Sequence, residues 1–180
     1  MYLNIWLGDQ FMDTQIGATF IGESKNCVNT ARGRINHCLD QLGDEDIWWA
    51  PDKGGNCIGV IVQHLLGNLR QWIISGVGGA TDVRNRPREF LVGEKSPKAV
   101  LQRQLNEILD AVIETYYNLP ISQLLEMRRI QGYDESVMGA IYGTMTHLEL
   151  HVGQIVWIAR MRRGDAYEEW WKPATKEQGA

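Results

Sequence analysis

Proline, cysteine and histidine are scarce in this chain, which has 5, 3 and 4 of them among its 180 residues. So few prolines leave room for long uninterrupted helices. No run of residues reaches the roughly 18 apolar positions that a membrane-spanning helix needs. The apolar N-terminal stretch is too short for a secretory signal and lacks its basic flank and cleavage site. We therefore expect no membrane partner.

The chain also lacks an excess of positive charge. Its formal net charge is −4 at pH 7, which offers no general attraction to nucleic acid. The three cysteines are Cys27, Cys38 and Cys57, an odd number without a regular framework. Such a set is typical of free thiols in a reducing compartment. We expect a cytoplasmic protein that does not bind nucleic acid.

What the chain does have is helical periodicity. Apolar residues make up 44% of it, which is enough for a core, and the length suits a single domain over 1–180. Apolar positions recur every three, four or seven residues in four stretches, which predicts four long helices. These helices span about residues 9–42, 57–75, 97–119 and 137–163. The expected fold class is therefore all-α, a four-helix bundle with its core over about 9–163 and a tail over 164–180.

Local signals set the expected helix ends. Asn56 and Ser136 are good N-caps for the second and fourth helices, and Ser96 followed by Pro97 predicts the start of the third. The run Gly-Val-Gly-Gly over 76–79 and Gly164 are natural stops for the second and fourth helices. A loop with Trp48 and Trp49 and a long polar loop over 81–94 join these helices. Residues 124–133 are ambiguous and fit a short helical turn followed by an extended segment with a turn at Gly132.

All four histidines fall within predicted helices, and three of them, His64, His147 and His151, lie in the second and fourth. His147 and His151 are four residues apart, so their rings point the same way on one helix face. Two ring nitrogens can then reach one ion at about 2.0–2.1 Å, and His64, from the second helix, would supply a third ligand. Three imidazoles suit zinc, nickel, iron or copper better than magnesium or calcium. By spacing alone, core or surface histidines without a metal remain an alternative.

Other polar residues near these histidines are candidates for supporting or substrate contacts. Asn68 and Gln154 lie one turn from a histidine, and Glu149 lies between His147 and His151.

The polar loop carries an arginine cluster formed by Arg84, Arg86 and Arg88 beside Glu89. These arginines could clamp a carboxylate or phosphate of a substrate. The alternative is a loop that is merely anchored by Arg–Glu and Arg–Asp pairs.

Two segments resemble motifs of the DinB-like (YfiT-like) superfamily. Residues 56–72 resemble its second-helix motif, in which a histidine in an HL-x-GN context is the first metal ligand. Residues 146–155 resemble its fourth-helix motif, H-x-x-x-H-x-G-Q-I, which supplies the other two. Residues 46–49 and 84–90 resemble an uncharacterised branch of the superfamily. The resemblance covers about residues 9–163 and carries the ligand roles onto His64, His147 and His151.

The resemblance implies an up-down-down-up four-helix bundle, often dimeric, with nickel or zinc at the three histidines. Characterised members of the superfamily include transferases and isomerases that depend on bacillithiol or mycothiol, in which the metal is thought to hold the thiol as a thiolate. We therefore expect a homodimer that acts on a small molecule. The cofactors implied are a divalent metal, nickel or zinc, and a low-molecular-weight thiol.

Three functional hypotheses follow. The first is a metal-dependent enzyme, a thiol-dependent S-transferase or a small-molecule hydrolase. The second is a non-catalytic metal-binding stress-response bundle, whose site would be closed by a fourth protein ligand. The third is a structural bundle with incidental histidines.

Overall fold

Long helices dominate the architecture. The computed structural model describes residues 2–51, 54–90 and 95–170, and for residues 2–11 it describes the backbone alone. The helices are α1 (Tyr2–Asp40), α2 (Asp44–Ile47), α3 (Ile58–Leu69), α4 (Arg86–Glu89), α5 (Lys98–Asn118) and α6 (Val137–Arg163). Short 3₁₀ turns at Ile121–Gln123 and Gly164–Ala166 flank the ends of α5 and α6.

The core lies between the four long helices α1, α3, α5 and α6. Helix α1 packs against α5 and α6, and α3 packs against the same two helices. Ile35, Leu65, Leu109 and Leu148, one from each helix, are completely buried. Burial of such a side chain contributes about 1.5–3 kcal/mol relative to exposure. The predicted helical core is thus confirmed, while the up-down-down-up order of the helices stays a prediction.

Helix α1 differs from its prediction in where it begins and in where its buried face begins. It begins at Tyr2 rather than near Asp9, and the first described apolar positions of the predicted stripe, Met12 and Ile16, are not buried. Met12 and Ile16 are 60% and 57% exposed, whereas the buried stripe runs from Ile21 onward. The apolar spacing correctly predicts a helix here. Spacing alone does not show how far that helix extends beyond the helices against which it packs.

Two predicted helix starts are wrong by one residue. The carbonyl of Cys57 accepts the first intrahelical bond of α3, from the Ile61 amide at 3.1 Å, so Cys57 and not Asn56 is the N-cap. The carbonyl of Pro97 does the same for α5, which makes Pro97 the N-cap in place of Ser96. The prediction for α6 is confirmed: Ser136 Oγ accepts from the Gly139 amide at 3.0 Å, and Gly164 ends the helix with φ 54°.

Helix α3 continues past Leu69 as a π-helical segment, Arg70–Val77, which ends at Gly78 and Gly79 within the predicted run over 76–79. The Gly78 amide donates to the Ile73 carbonyl, five residues earlier, at 2.8 Å. Gly76 stays inside this segment because the Ile130 side chain packs on it; a Cβ there would lie 2.6 Å from Ile130 Cδ1. The glycine is therefore a contact point rather than a stop.

Ile130 belongs to a small β-hairpin, which corrects the all-α expectation. Strands β1 (Met127–Ile130) and β2 (Tyr133–Ser136) pair antiparallel, with Ile130 opposite Tyr133. The two-residue turn places Gln131 at φ 52° and Gly132 at φ 86°, the left-handed pair that such tight hairpins need. The expected extended segment with a turn at Gly132 is confirmed.

The tryptophan-containing loop and the described part of the tail, residues 164–170, both pack on the bundle. Trp48 Nε1 donates to the Ser96 carbonyl at 3.0 Å, and its ring lies against Gly59. Trp170 packs over Gly33 and His37, while Trp171 lies outside the described residues. Within the described ranges, no helix is long and apolar enough to cross a membrane.

Candidate metal centre

Three imidazoles converge between α3 and α6. His64 Nε2 and His151 Nε2 each lie 3.2 Å from His147 Nε2. One ring nitrogen from each of the three lies within 4.8 Å of the others. Helix α6 supplies two of the rings because the four-residue spacing stacks them on one face, and α3 supplies the third from across the core.

The separations fit ligands that share one ion. Two nitrogens bound at about 2.0–2.1 Å in a tetrahedral arrangement lie roughly 3.3–3.4 Å apart. The observed spacing of 3.2 Å is close to this value. Imidazole nitrogens are ligands for zinc, nickel, iron or copper rather than for magnesium or calcium. The cluster is therefore compatible with a divalent metal.

The orientation of His64 is set by a carboxylate. His64 Nδ1 lies 2.9 Å from Glu89 Oε2, and both side chains are about nine-tenths buried. A carboxylate can only accept, so Nδ1 carries the proton and the Nε2 lone pair faces the other two rings. A histidine that donates its second nitrogen to a carboxylate is the usual arrangement at a metal site.

Glu89 is in turn held by Arg84. The arginine donates from Nε to Oε1 at 2.7 Å and from Nη2 to Oε2 at 2.9 Å, a fork over both carboxylate oxygens. Its Nη1 donates to Gln71 Oε1 at 2.9 Å, so all three nitrogens are engaged. Burial would raise the pKa of Glu89, but the hydrogen bonds from Arg84 and His64 outweigh it and lower that pKa. Glu89 is thus an ionised, buried carboxylate.

His151 is oriented in a similar way by Gln154, whose Oε1 lies 2.7 Å from His151 Nδ1. His147 Nδ1 is buried and has no hydrogen-bond partner among the described residues. Burial, together with the neighbouring His151 and His64, lowers the pKa of His147 to about 4. Burial also lowers the pKa of His151. Neutral rings at physiological pH are the form that binds a metal.

A cleft of about 590 Å³ opens beside the cluster. His64, Asn68 and His147 lie on its wall, and Gln131 and Tyr133 of the hairpin also line it. Trp72 Nε1 donates to Gln131 Oε1 at 3.0 Å and ties the hairpin to the π-helical segment. The cleft has room for a small molecule next to the three imidazoles.

Not all of the predicted supporting residues lie at the cluster. Asn68 is buried at the cleft, and its Oδ1 has no partner among the described residues. Glu149 instead pairs with Arg34 at 2.8 Å, so its proposed role near the histidines is wrong. Gln154 contacts His151 as described above.

The arginine cluster divides into three different roles. Arg84 anchors its loop through Glu89, as the alternative interpretation expects, and it also lines the cleft, so its contact with a substrate stays a prediction. Arg86 lines the cleft, with its guanidinium 5.2 Å from the centre of the Phe90 ring. Arg88 is exposed and does not line the cleft.

The family model for proteins of unknown function designated DUF1572 matches residues 15–175 of this chain. The chain belongs to the DUF1572 family. This is a DinB-like family, which confirms the superfamily resemblance. No curated protein matches the chain.

Solved structures of DinB-like proteins resemble this DUF1572 chain in fold. One, from Bacillus cereus ATCC 10987, has a TM-score of 0.63 and 16% identity, with 79% of this chain and 90% of that chain covered. Another, YjoA from Bacillus subtilis, has a TM-score of 0.63 and 12% identity, with coverage of 82% and 96%. At such identities these likenesses establish the fold alone.

Proposed function

We propose that this protein is a divalent-metal-dependent enzyme that binds its ion through His64, His147 and His151. The observation that carries the proposal is the convergence of three Nε2 atoms beside a cleft whose wall includes His64 and His147. Two of the rings are already turned by Glu89 and Gln154 so that their lone pairs face inward. Such preorganisation of ligands is what a metal site requires.

The arrangement favours an open site over a closed one. In the described part of the chain, no further histidine, cysteine or carboxylate joins the three histidines as a fourth ligand. Three protein ligands beside a cleft are the pattern of catalytic rather than structural sites. This supports an enzyme over a non-catalytic metal-binding stress-response bundle, which predicts a fourth protein ligand. When bound, the ion would supply Lewis-acid activation of a thiol or a water.

The reaction class that we propose is transfer to or from a thiol, or hydrolysis of a small molecule. Asn68 and Arg86 lie on the cleft wall, where they would contact the substrate. Arg86 would favour an anionic group on that substrate, since a guanidinium binds carboxylates and phosphates in a fork. Zinc and nickel both suit three imidazoles, and we propose one of them as the metal.

Calorimetric titration with zinc and nickel tests the ligand set. We expect one high-affinity ion per chain in the unaltered protein and none in the His64→Ala, His147→Ala or His151→Ala variant. His37→Ala is the matched control, because His37 lies on α1 and its Nε2 contacts the Glu168 carbonyl at 2.6 Å. Full binding in all three cluster variants would rule out the site.

A second titration separates the two reaction classes. Bacillithiol, mycothiol and glutathione are added to the zinc-loaded protein and to the His147→Ala variant. Stoichiometric binding of one thiol that needs the intact cluster supports the transferase. Binding of none of them, together with ester or amide hydrolysis that needs the metal, supports the hydrolase.

The homodimer also remains a proposal. Helix α6 carries exposed apolar side chains on its outer face, with Tyr142 64%, Leu150 60% and Trp157 58% exposed. Exposed apolar side chains clustered on one face are typical of protein interfaces. Light scattering on the purified protein would give the mass in solution, and a monomer at micromolar concentration would contradict the proposal.

A further inference from the structure

A glycine of α3 lies directly beneath the Arg84–Glu89 pair. A Cβ on Gly67 would lie 2.0 Å from Glu89 Oε1 and 3.1 Å from Arg84 Nε. Any side chain at this position would therefore push the carboxylate away from the helix. Because Gly67 has no side chain, Glu89 can reach His64, which precedes Gly67 by almost one helical turn.

The geometry at Glu89 decides which nitrogen of His64 carries its proton. Nδ1 faces Oε2 at 2.9 Å and Arg84 Nη2 at 3.4 Å. If Nδ1 carried a lone pair, it would face the carboxylate oxygen at hydrogen-bond distance without a proton between them. Arg84 Nη2 already donates to the same oxygen at 2.9 Å. The proton therefore lies on Nδ1, between the imidazole and the carboxylate.

We infer that Arg84 and Glu89 are positioning residues that hold His64 in the one tautomer able to join the cluster, and that Gly67 provides the space they need. This inference rests on the proposed metal site. Both oxygens of Glu89 are needed, because Arg84 donates to each of them and His64 donates to one. Among the described residues, the hydrogen bonds of the pair to the cluster go to His64, so the pair orients the cluster through that ring.

Glu89→Gln is the sharpest perturbation, since it keeps the shape and removes one acceptor. With the amide nitrogen in the place of Oε2, it faces two donors, Arg84 Nη2 and His64 Nδ1, and the contact with His64 is relieved only if the ring proton moves to Nε2. With the amide reversed, its NH₂ group faces Arg84 Nε, another donor. Both orientations break one bond of the Arg84–Glu89 fork, so in the metal-free protein we expect the ¹⁵N spectrum of His64 to show the Nε2–H tautomer alongside the Nδ1–H tautomer of the unaltered protein. We expect metal affinity to fall about 10–100-fold.

Two further variants keep the inference testable if Glu89→Gln is poorly folded. Gly67→Ala adds only a methyl group and changes no charge or ligand, yet we expect a similar loss of metal affinity. Its control is Gly22→Ala in α1, where a Cβ would have open space. Glu149→Gln is the matched control for charge, because that carboxylate pairs with Arg34 and does not touch the histidines.

The outcomes distinguish this inference from the proposed function. If the unaltered protein binds no zinc or nickel, the proposed site fails. If it binds the metal, and Glu89→Gln and Gly67→Ala bind it within twofold of the unaltered protein, only the positioning role is overturned. A His64 tautomer that is Nε2–H in the unaltered, metal-free protein would also overturn it. A tautomer change in Glu89→Gln with reduced affinity, and unchanged affinity in both controls, would support it.

Discussion

Replacing His147 with leucine is expected to make the metal-free protein more stable. His147 Nδ1 is buried and has no partner among the described residues, and its Nε2 faces two other ring nitrogens at 3.2 Å. The two facing nitrogens point lone pairs inward, since Glu89 and Gln154 take the protons on their far sides. Only one of them can accept a proton from His147. Without an ion, the cluster is therefore electrostatically strained.

The size of this effect follows from the unpaired nitrogen. A buried polar atom without a partner costs about 1–3 kcal/mol, and leucine of similar volume removes it. We expect a gain of about 1–2 kcal/mol, or roughly 2–8 °C in melting temperature for a chain of this size. With metal present, the unaltered protein should be the more stable of the two. An ion at a thousandfold excess over its dissociation constant adds about 4 kcal/mol to the free energy of unfolding of the unaltered protein alone.

Thermal unfolding followed by circular dichroism, with chelator and then with zinc, measures both effects. His37→Leu is the control, because His37 Nε2 has a partner, the Glu168 carbonyl, and its replacement should bring no gain. A metal-free His147→Leu protein that is less stable than the unaltered one by more than about 1 kcal/mol would refute the argument from the unpaired nitrogen.

Two further predictions concern the scaffold. Asp46 accepts hydrogen bonds from the Gly43 amide and from Arg162, and these bonds lower the pKa of Asp46. Its contribution to the free energy of unfolding is therefore present above about pH 4 and is lost as the pH falls below that value. Asp46→Asn should cost about 0.5–1 kcal/mol at pH 7, and the difference from the unaltered protein should shrink in acid unfolding scans; a gap that is constant with pH would contradict this. Ile130→Ala should cost about 2–4 kcal/mol by denaturant unfolding, because this buried side chain fixes the hairpin on Gly76. A loss below about 1 kcal/mol would show that the hairpin is held by other contacts.

The part of the site that follows helical periodicity could be predicted from the sequence. His147 and His151 share a face because they are four residues apart, and Ser136 and Gly164 mark the ends of their helix. The placement of His64 opposite them depended on the motif resemblance, because spacing within one helix does not say which helix it faces.

Glu89 is the residue that the sequence did not reveal. It lies in a polar loop beside three arginines, where the pattern indicates ion pairs but not a contact with a histidine 25 residues earlier. The only local signal was Gly67, a glycine inside an apolar helix, which can mark a close approach by another segment. The π-helical segment was also missed, since apolar spacing predicts a helix there but not the hydrogen-bond pattern of its turns.

An anomalous difference map from crystals loaded with one equivalent of zinc or nickel tests the central claim most directly. We predict a single strong peak between the Nε2 atoms of His64, His147 and His151, with the remaining coordination positions facing the cleft. A peak at another position, or one between these histidines that is closed by a fourth protein side chain, would contradict the account.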